Sequence, residues 1–217
     1  MASEIEICNL ALSNIRAGSI NSFTEGSLQA QQCNLKYSIL RNRVLKESWG
    51  FNHKIRALSV LTTEVFNWVY AYQYPTDCLK INRLVGAHEE LSNTDADVVS
   101  RLLDSQLLPI RDTQPIVSYE LFNFDDNKVI GANEADLRID YTAKITDPNL
   151  FSDDFILALS HLLASELAIP LIGAEVGRQL RSDSLQMYKE YLHAAIADDM
   201  NEGDFTPPLS EYETIRR

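Results

Sequence analysis

The chain predicts an α+β fold: a bundle of about four helices drawn from both chain ends, with a small antiparallel β-sheet domain inserted in the middle. Three observations predict it. Helix start and stop signals gather at the two ends of the 217 residues. Between them the apolar period changes from helical to alternating. Near the C-terminal end, Gly203 and the pair Pro207-Pro208 forbid further helix. The expected division is a helical bundle over 1–56 and 149–200, a β-rich domain over 57–148, and an extended C-terminal tail over 201–217.

The first helix starts at Ser3, whose hydroxyl, with Glu6 three residues on, makes a capping box, and it stops before Gly18. Ser22 and Glu25 have the same spacing and predict the start of a second helix. In that helix Ala30, Cys33, Tyr37, Leu40 and Val44 recur at intervals of three and four, forming one packing stripe. The two are expected to pair as a hairpin about the turn from Gly18 to Thr24.

Beyond Ala57, residues Val69, Ala71 and Gln73 alternate with Tyr70, Tyr72 and Tyr74, which sets three tyrosines on one face of an extended segment ending at Pro75. Such a face suits packing within a sheet or against a partner, and Tyr70, Tyr72 and Tyr74 are candidate partner-interface residues. Leu79–Leu84, Ile116–Phe122, Lys128–Ile130 and Leu137–Thr142 also read as strands. Asp125-Asp126-Asn127 and Ala132-Asn133-Glu134 are the turns between them, and the polar stretch from His88 to Ser105 reads as a loop insertion with a short helix near Asp97.

A third helix opens at Ser152-Asp153-Asp154, with an N-cap serine and acids set against the helix dipole, and carries Phe155, Leu159, Leu162, Leu163 and Leu167 on a wide apolar face. Pro170 and Gly173 interrupt it, and a fourth helix is expected from about Ala174 to Asp199. In the tail, Phe205, Leu209, Tyr212 and Ile215 are apolar anchors too widely spaced for one helix face. With Arg216 and Arg217 they are candidates for contact with a neighbouring subunit.

Composition narrows the function classes. With 45% hydrophobic and 23% charged residues the chain is ordinary globular material, not a disordered one. No run of about 18 consecutive apolar residues is expected to span a membrane, and Glu4 and Glu6 stand where a signal peptide carries positive charge. A net charge of -12 opposes tight nucleic-acid binding; it suits a surface that DNA must pass without sticking, and equally a surface whose acidity serves solubility alone. Cys8, Cys33 and Cys78 read as small apolar core residues of a reducing cytoplasm.

No catalytic, metal-binding or cofactor-binding residues are expected. His53, His88, His161 and His193 occupy no metal-ligand spacing, and His161 reads as a helix-surface or satisfied core imidazole. There is no G-x-S-x-G elbow, and Gly173-Ala174-Glu175-Val176-Gly177 lacks the lysine and preceding strand of a phosphate loop. Asp125/Asp126, Asp153/Asp154 and Asp198/Asp199 are paired carboxylates. Glycoside hydrolysis needs such a pair roughly 5 to 10 Å apart, so a hydrolase acting on cell-wall or capsular glycan is one function these acids allow.

Four pieces, in order, carry a family resemblance. The first holds Cys8-Asn9-Leu10-Ala11-Leu12, the Ala30/Cys33/Tyr37 stripe, Arg43-Val44-Leu45 and the exit Trp49-Gly50-Phe51. Then come Tyr72-Gln73-Tyr74-Pro75-Thr76-Asp77-Cys78-Leu79, Tyr141-Thr142-Ala143-Lys144-Ile145-Thr146-Asp147-Pro148, and Ala158-Leu159 through Leu163-Ala164 and Leu167-Ala168. Together they resemble the tail tubular protein A family, the head-to-tail adaptors of short-tailed, T7-like bacteriophages. The family's exit usually reads Pro-Trp-x-Phe followed by Ala; Ser48 and Asn52 take those places here. The resemblance implies a structural virion protein, made in the bacterial host cytoplasm. It implies a dodecameric ring of this chain joining the portal protein to the tail nozzle protein, with genomic DNA passing through the lumen without specific binding.

Overall fold

A computed structural model of the chain describes residues 3–47, 49–65, 67–86 and 117–202, with backbone alone for residue 64 and residues 198–202. Among the described residues there are four α-helices and two small antiparallel sheets, with the helices at the ends and the strands in the middle. The chain divides into two compact units, Asn52–Lys144 and the helical chain on either side of it. The expected boundaries, 57 and 148, lie inward of one junction and beyond the other. The difference arises because His53–Ala57 forms a strand that pairs inside the β unit.

In the helical unit, α1 (Glu4–Asn14) has the expected capping box: the Glu6 N–H donates to Ser3 Oγ at 3.1 Å and the Ser3 N–H to the Glu6 carboxylate at 2.7 Å. Asn9 then fixes the chain that follows. Its amide donates to the Ile20 carbonyl at 2.9 Å and accepts from the Ile20 N–H at 2.8 Å.

The second helix, α2 (Leu28–Leu45), starts later than Ser22/Glu25 predicts. Ser22 Oγ accepts from the Thr24 N–H, and the Glu25 carboxylate accepts from the Asn21 N–H and from Ser27 Oγ. These bonds build a turn, and Ser27 becomes the cap, accepting from the Ala30 N–H at 3.2 Å. The stripe is as expected, with Ala30, Cys33, Tyr37, Leu40 and Val44 all buried. The hairpin expectation is corrected: α1 and α2 touch each other little, and each packs mainly on the third helix.

That helix, α3 (Asp153–Ile172), is capped by Ser152, whose hydroxyl accepts from the Phe155 N–H at 3.3 Å. One 18-residue window of it has a mean hydropathy of 1.9, so by length and composition it could cross a membrane, contrary to the expectation that no segment approaches this. Its apolarity has a local use, since Phe155, Leu159, Leu162, Leu163 and Leu167 are buried against the other helices. Gly173, at φ +95°, ends α3 before α4 (Ala174–Glu202), whereas Pro170, expected to interrupt the helix, lies inside it. Gly177 lets α4 lie close to α3, because a Cβ there would meet the Ala168 carbonyl oxygen at 2.8 Å.

The β unit holds β1 (His53–Ala57), β2 (Val60–Val65), β3 (Trp68–Gln73), β4 (Cys78–Val85), β5 (Tyr119–Phe124), β6 (Asn127–Ala132) and β7 (Arg138–Ala143). The middle of the chain forms two sheets, not the single one expected, in orders β1-β7-β4 and β2-β3-β6-β5. They share one core, in which Tyr72, Ile130 and Ala132 of one sheet meet Leu84, Ile139 and Tyr141 of the other. Sequence reading missed β1 because it is an edge strand with all five residues exposed, leaving no apolar alternation to read. Of the extended tail expected over 201–217, Asn201 and Glu202 belong instead to α4, and residues 203–217, like the expected loop insertion from His88 to Ser105, lie outside the described residues.

Candidate functional site

The tyrosine row on β3 faces mostly inward. Tyr72 is fully buried and donates its hydroxyl to the Glu134 carbonyl at 2.6 Å, which corrects its reading as a partner-interface residue. Tyr70 and Tyr74 are half-buried against the same core. The ammonium of Lys128 lies over the Tyr74 ring, 3.9 Å from its centroid. A residue on the tyrosine side of a strand in a two-sheet unit meets the other sheet first. The remaining candidates, Phe205, Leu209, Tyr212, Ile215, Arg216 and Arg217, lie outside the described residues.

The motif residue Asp77 is a junction. It accepts from Lys54 Nζ at 2.9 Å and from the Tyr141 hydroxyl at 3.0 Å, and its carbonyl accepts the Lys144 N–H at 2.6 Å. Burial alone would raise its carboxyl pKa, but the bonds from Lys54 and Tyr141 outweigh it and hold the group below the ordinary range. Residues from β1, from the turn before β4 and from β7 are thereby tied at one end of their sheet.

A second polar cluster, not read from the sequence, sits across the same three strands. Asp140 on β7 is buried and accepts from Arg83 Nε at 3.0 Å and Asn82 Nδ2 at 3.2 Å on β4, and it pairs with His53 Nε2 on β1 at 2.5 Å. Thr142 extends it by donating to Asn82 Oδ1 at 3.3 Å. A buried carboxylate needs such donors, and here they come from both neighbouring strands. The sequence signal is Asp140 between Ile139 and Tyr141 in a strand whose residues from Ile139 onward are all buried.

The paired acids have local structural places. Asp125 and Asp126 are the two central residues of a β5–β6 hairpin closed by the Phe124–Asn127 pair, with φ of 50° and 61°, as a type I′ turn requires. Asp153 and Asp154 lie in the first turn of α3, where the helix dipole favours acids. Asp198 and Asp199 belong to α4, with side chains outside the described residues.

His161 is half-buried, stacked on Tyr191 with centroids 5.2 Å apart, and 3.4 Å from Asn14 Nδ2. Burial lowers its pKa. Cys8 and Cys33 are fully buried; the hydrogen bond that the Cys8 thiol gives to Cys33, and burial with it, push the Cys8 thiol far above its ordinary range. Among the described residues no group of three or more His, Cys, Asp or Glu is arranged to hold a metal ion.

Two shallow, open recesses lie on the β unit. One, of about 280 Å³, lies among Leu61, Tyr74, Thr76, Asp126 and Lys128, and another, of about 340 Å³, lies by Trp68, Glu120 and Phe122. Trp68 Nε1 donates to the Glu120 carboxylate at 3.0 Å beside the second. Binding sites for small molecules usually enclose most of the ligand surface, and these recesses do not.

The most distinctive surface is on α2. Opposite its buried stripe, Leu28, Leu35 and Ile39 face outward with exposures of 52%, 64% and 65%. At about 100° per residue they fall within roughly 40° of one another around the helix axis. The helix is therefore apolar on two opposite sides, and its own unit covers one of them. No protein-family model matches the chain, and no curated protein matches it significantly.

Proposed function

We propose that this chain is a structural virion protein, the head-to-tail adaptor of a short-tailed bacteriophage. Copies of it form a ring between the portal and the tail nozzle, the acidic lumen passes DNA, and the ring resides at the head-tail junction of the virion. The observation that carries the reading is the two-sided apolar character of α2. A helix that fills its own core with Ala30, Cys33, Tyr37 and Val44 and still presents Leu28, Leu35 and Ile39 to water is suited to burial in an assembly.

The ordered resemblance to the tail tubular protein A family supports which assembly it is. The quoted pieces coincide with joints of the fold: Asn9 fixes the loop after α1, Asp77 ties three strand-end segments, and Trp49 and Phe51 pack on Phe155 at the α2 exit, Trp49 edge-on at 5.1 Å. The charge of -12 supports a channel wall that repels the DNA backbone.

The test is assembly on the cognate portal. The purified chain is expected to sediment as a monomer or loose oligomer by itself and to shift to a ring-sized species with portal protein at micromolar concentration and moderate salt, with rings visible by electron microscopy. A portal preparation that never changes its sedimentation overturns the adaptor reading.

A further inference from the structure

The outward row of α2 has a counterpart on the same unit. On α4, Val176, Asp183, Met187 and Glu190 fall within roughly 60° of one another at about 100° per residue. All four are exposed, Val176 at 57%. This row is apolar with two acids in it. Asp183 and Glu190 each accept the amide of a glutamine one turn earlier, at 2.7 and 3.0 Å, and both carboxylates stay at the surface.

The α2 row carries the opposite charge. Its apolar residues lead into Lys46, in phase with Leu28, with Arg43 beside it, and both cations are exposed. The helix has three basic residues and no acid, although the whole chain carries -12. By contrast α4 has six acidic and three basic residues. The cationic apolar row thus finds its complement in charge, apolarity and helical form on another copy of the chain itself.

We propose that the outward row of α2 docks on the outward row of α4 in a second copy of this chain. Because the two surfaces differ, each copy offers both, and the contact is head-to-tail: repeated, it closes into a ring or continues as a filament. The proposal rests on the ring-forming reading above and names the surfaces that form the ring. Leu35 and Ile39 of one copy pack with Val176 and Met187 of the next, and Arg43 and Lys46 meet Asp183 and Glu190.

Charge exchange on the full-length chain tests it. Arg43→Glu with Lys46→Glu, and separately Asp183→Lys with Glu190→Lys, should each cut the assembled fraction at least about tenfold in sedimentation with portal present. Far-ultraviolet circular dichroism and thermal melting should stay as in the wild type, since all four residues are exposed. A chain carrying all four substitutions, or a mixture of the two double variants, should recover assembly, because one complementary pair of surfaces is restored. If the wild type assembles and both double variants assemble equally well, this interface is wrong and the ring reading stands. Should the α2 variant block binding to portal while the α4 variant assembles normally, the α2 row meets the portal and the proposal fails. If the wild type never assembles, the ring reading itself fails.

Discussion

The ammonium of Lys36 on α2 donates to the backbone carbonyl of Glu166 on α3 at 2.5 Å, and that carbonyl is the one whose helical donor would be the N–H of residue 170, a proline. Proline has no N–H, so within a helix it leaves the carbonyl four residues back without its partner. A side chain from the neighbouring helix supplies the bond. The backbone bond that Pro170 removes and the packing of α2 on α3 are thus one arrangement, and α3 runs on through the proline to Ile172.

Removing the ammonium should therefore matter only while the proline is present. Lys36→Ala is expected to lower unfolding stability by about 1–3 kcal/mol. In a Pro170→Ala background, where the residue-170 N–H returns, the same change should lose less than half as much. Urea unfolding of the four chains measures the coupling, and an unchanged penalty in the alanine background removes this explanation.

The stacked ring of His161 predicts a pH dependence. Burial lowers its pKa in the folded state below the ordinary 6.5, so the unfolded chain binds the proton more readily. Its neutral form contributes stability that is present above pH 6.5 and is lost as pH falls from there through the folded value. The stability advantage of the wild type over His161→Gln should shrink on acidification below 6.5. A proton-NMR titration should place the His161 midpoint below that of an unfolded peptide. An advantage that grows on acidification contradicts the burial argument.

The Asp125–Asp126 turn holds two non-glycine residues at positive φ, which Asp tolerates and an Asn-Gly pair suits better. The double substitution Asp125→Asn with Asp126→Gly should raise stability by roughly 0.5–1 kcal/mol without loss of any measurable activity. The urea midpoint reads the first expectation. A glycan-release assay on both chains reads the second, and hydrolysis present in the wild type and absent from the variant would return the acids to a catalytic role.

What the sequence determined by itself is what short-range chemistry controls. The Ser3–Glu6 box, the Ser152 cap, the buried stripe of α2, the Gly173 break and most of the strands from β3 to β7 follow from hydrogen bonds spanning three or four residues, from one residue's backbone freedom, or from periodicity along one element. Tertiary structure decided the rest, because each outcome depended on a partner far along the chain or on a choice among competing local bonds. Ser27 took the cap when Glu25 turned to Asn21 and Ser27, and β1 was recruited at an edge by β7 with no apolar alternation of its own. Tyr72 went into a core because a second sheet covers its face, and Asp140 found donors on β1 and β4. The outward row of α2 was present in the sequence as Leu28, Leu35 and Ile39, yet spacing alone cannot tell an apolar residue facing a core from one facing water. Only the packing of the opposite stripe on α3 showed which side of the helix was left uncovered.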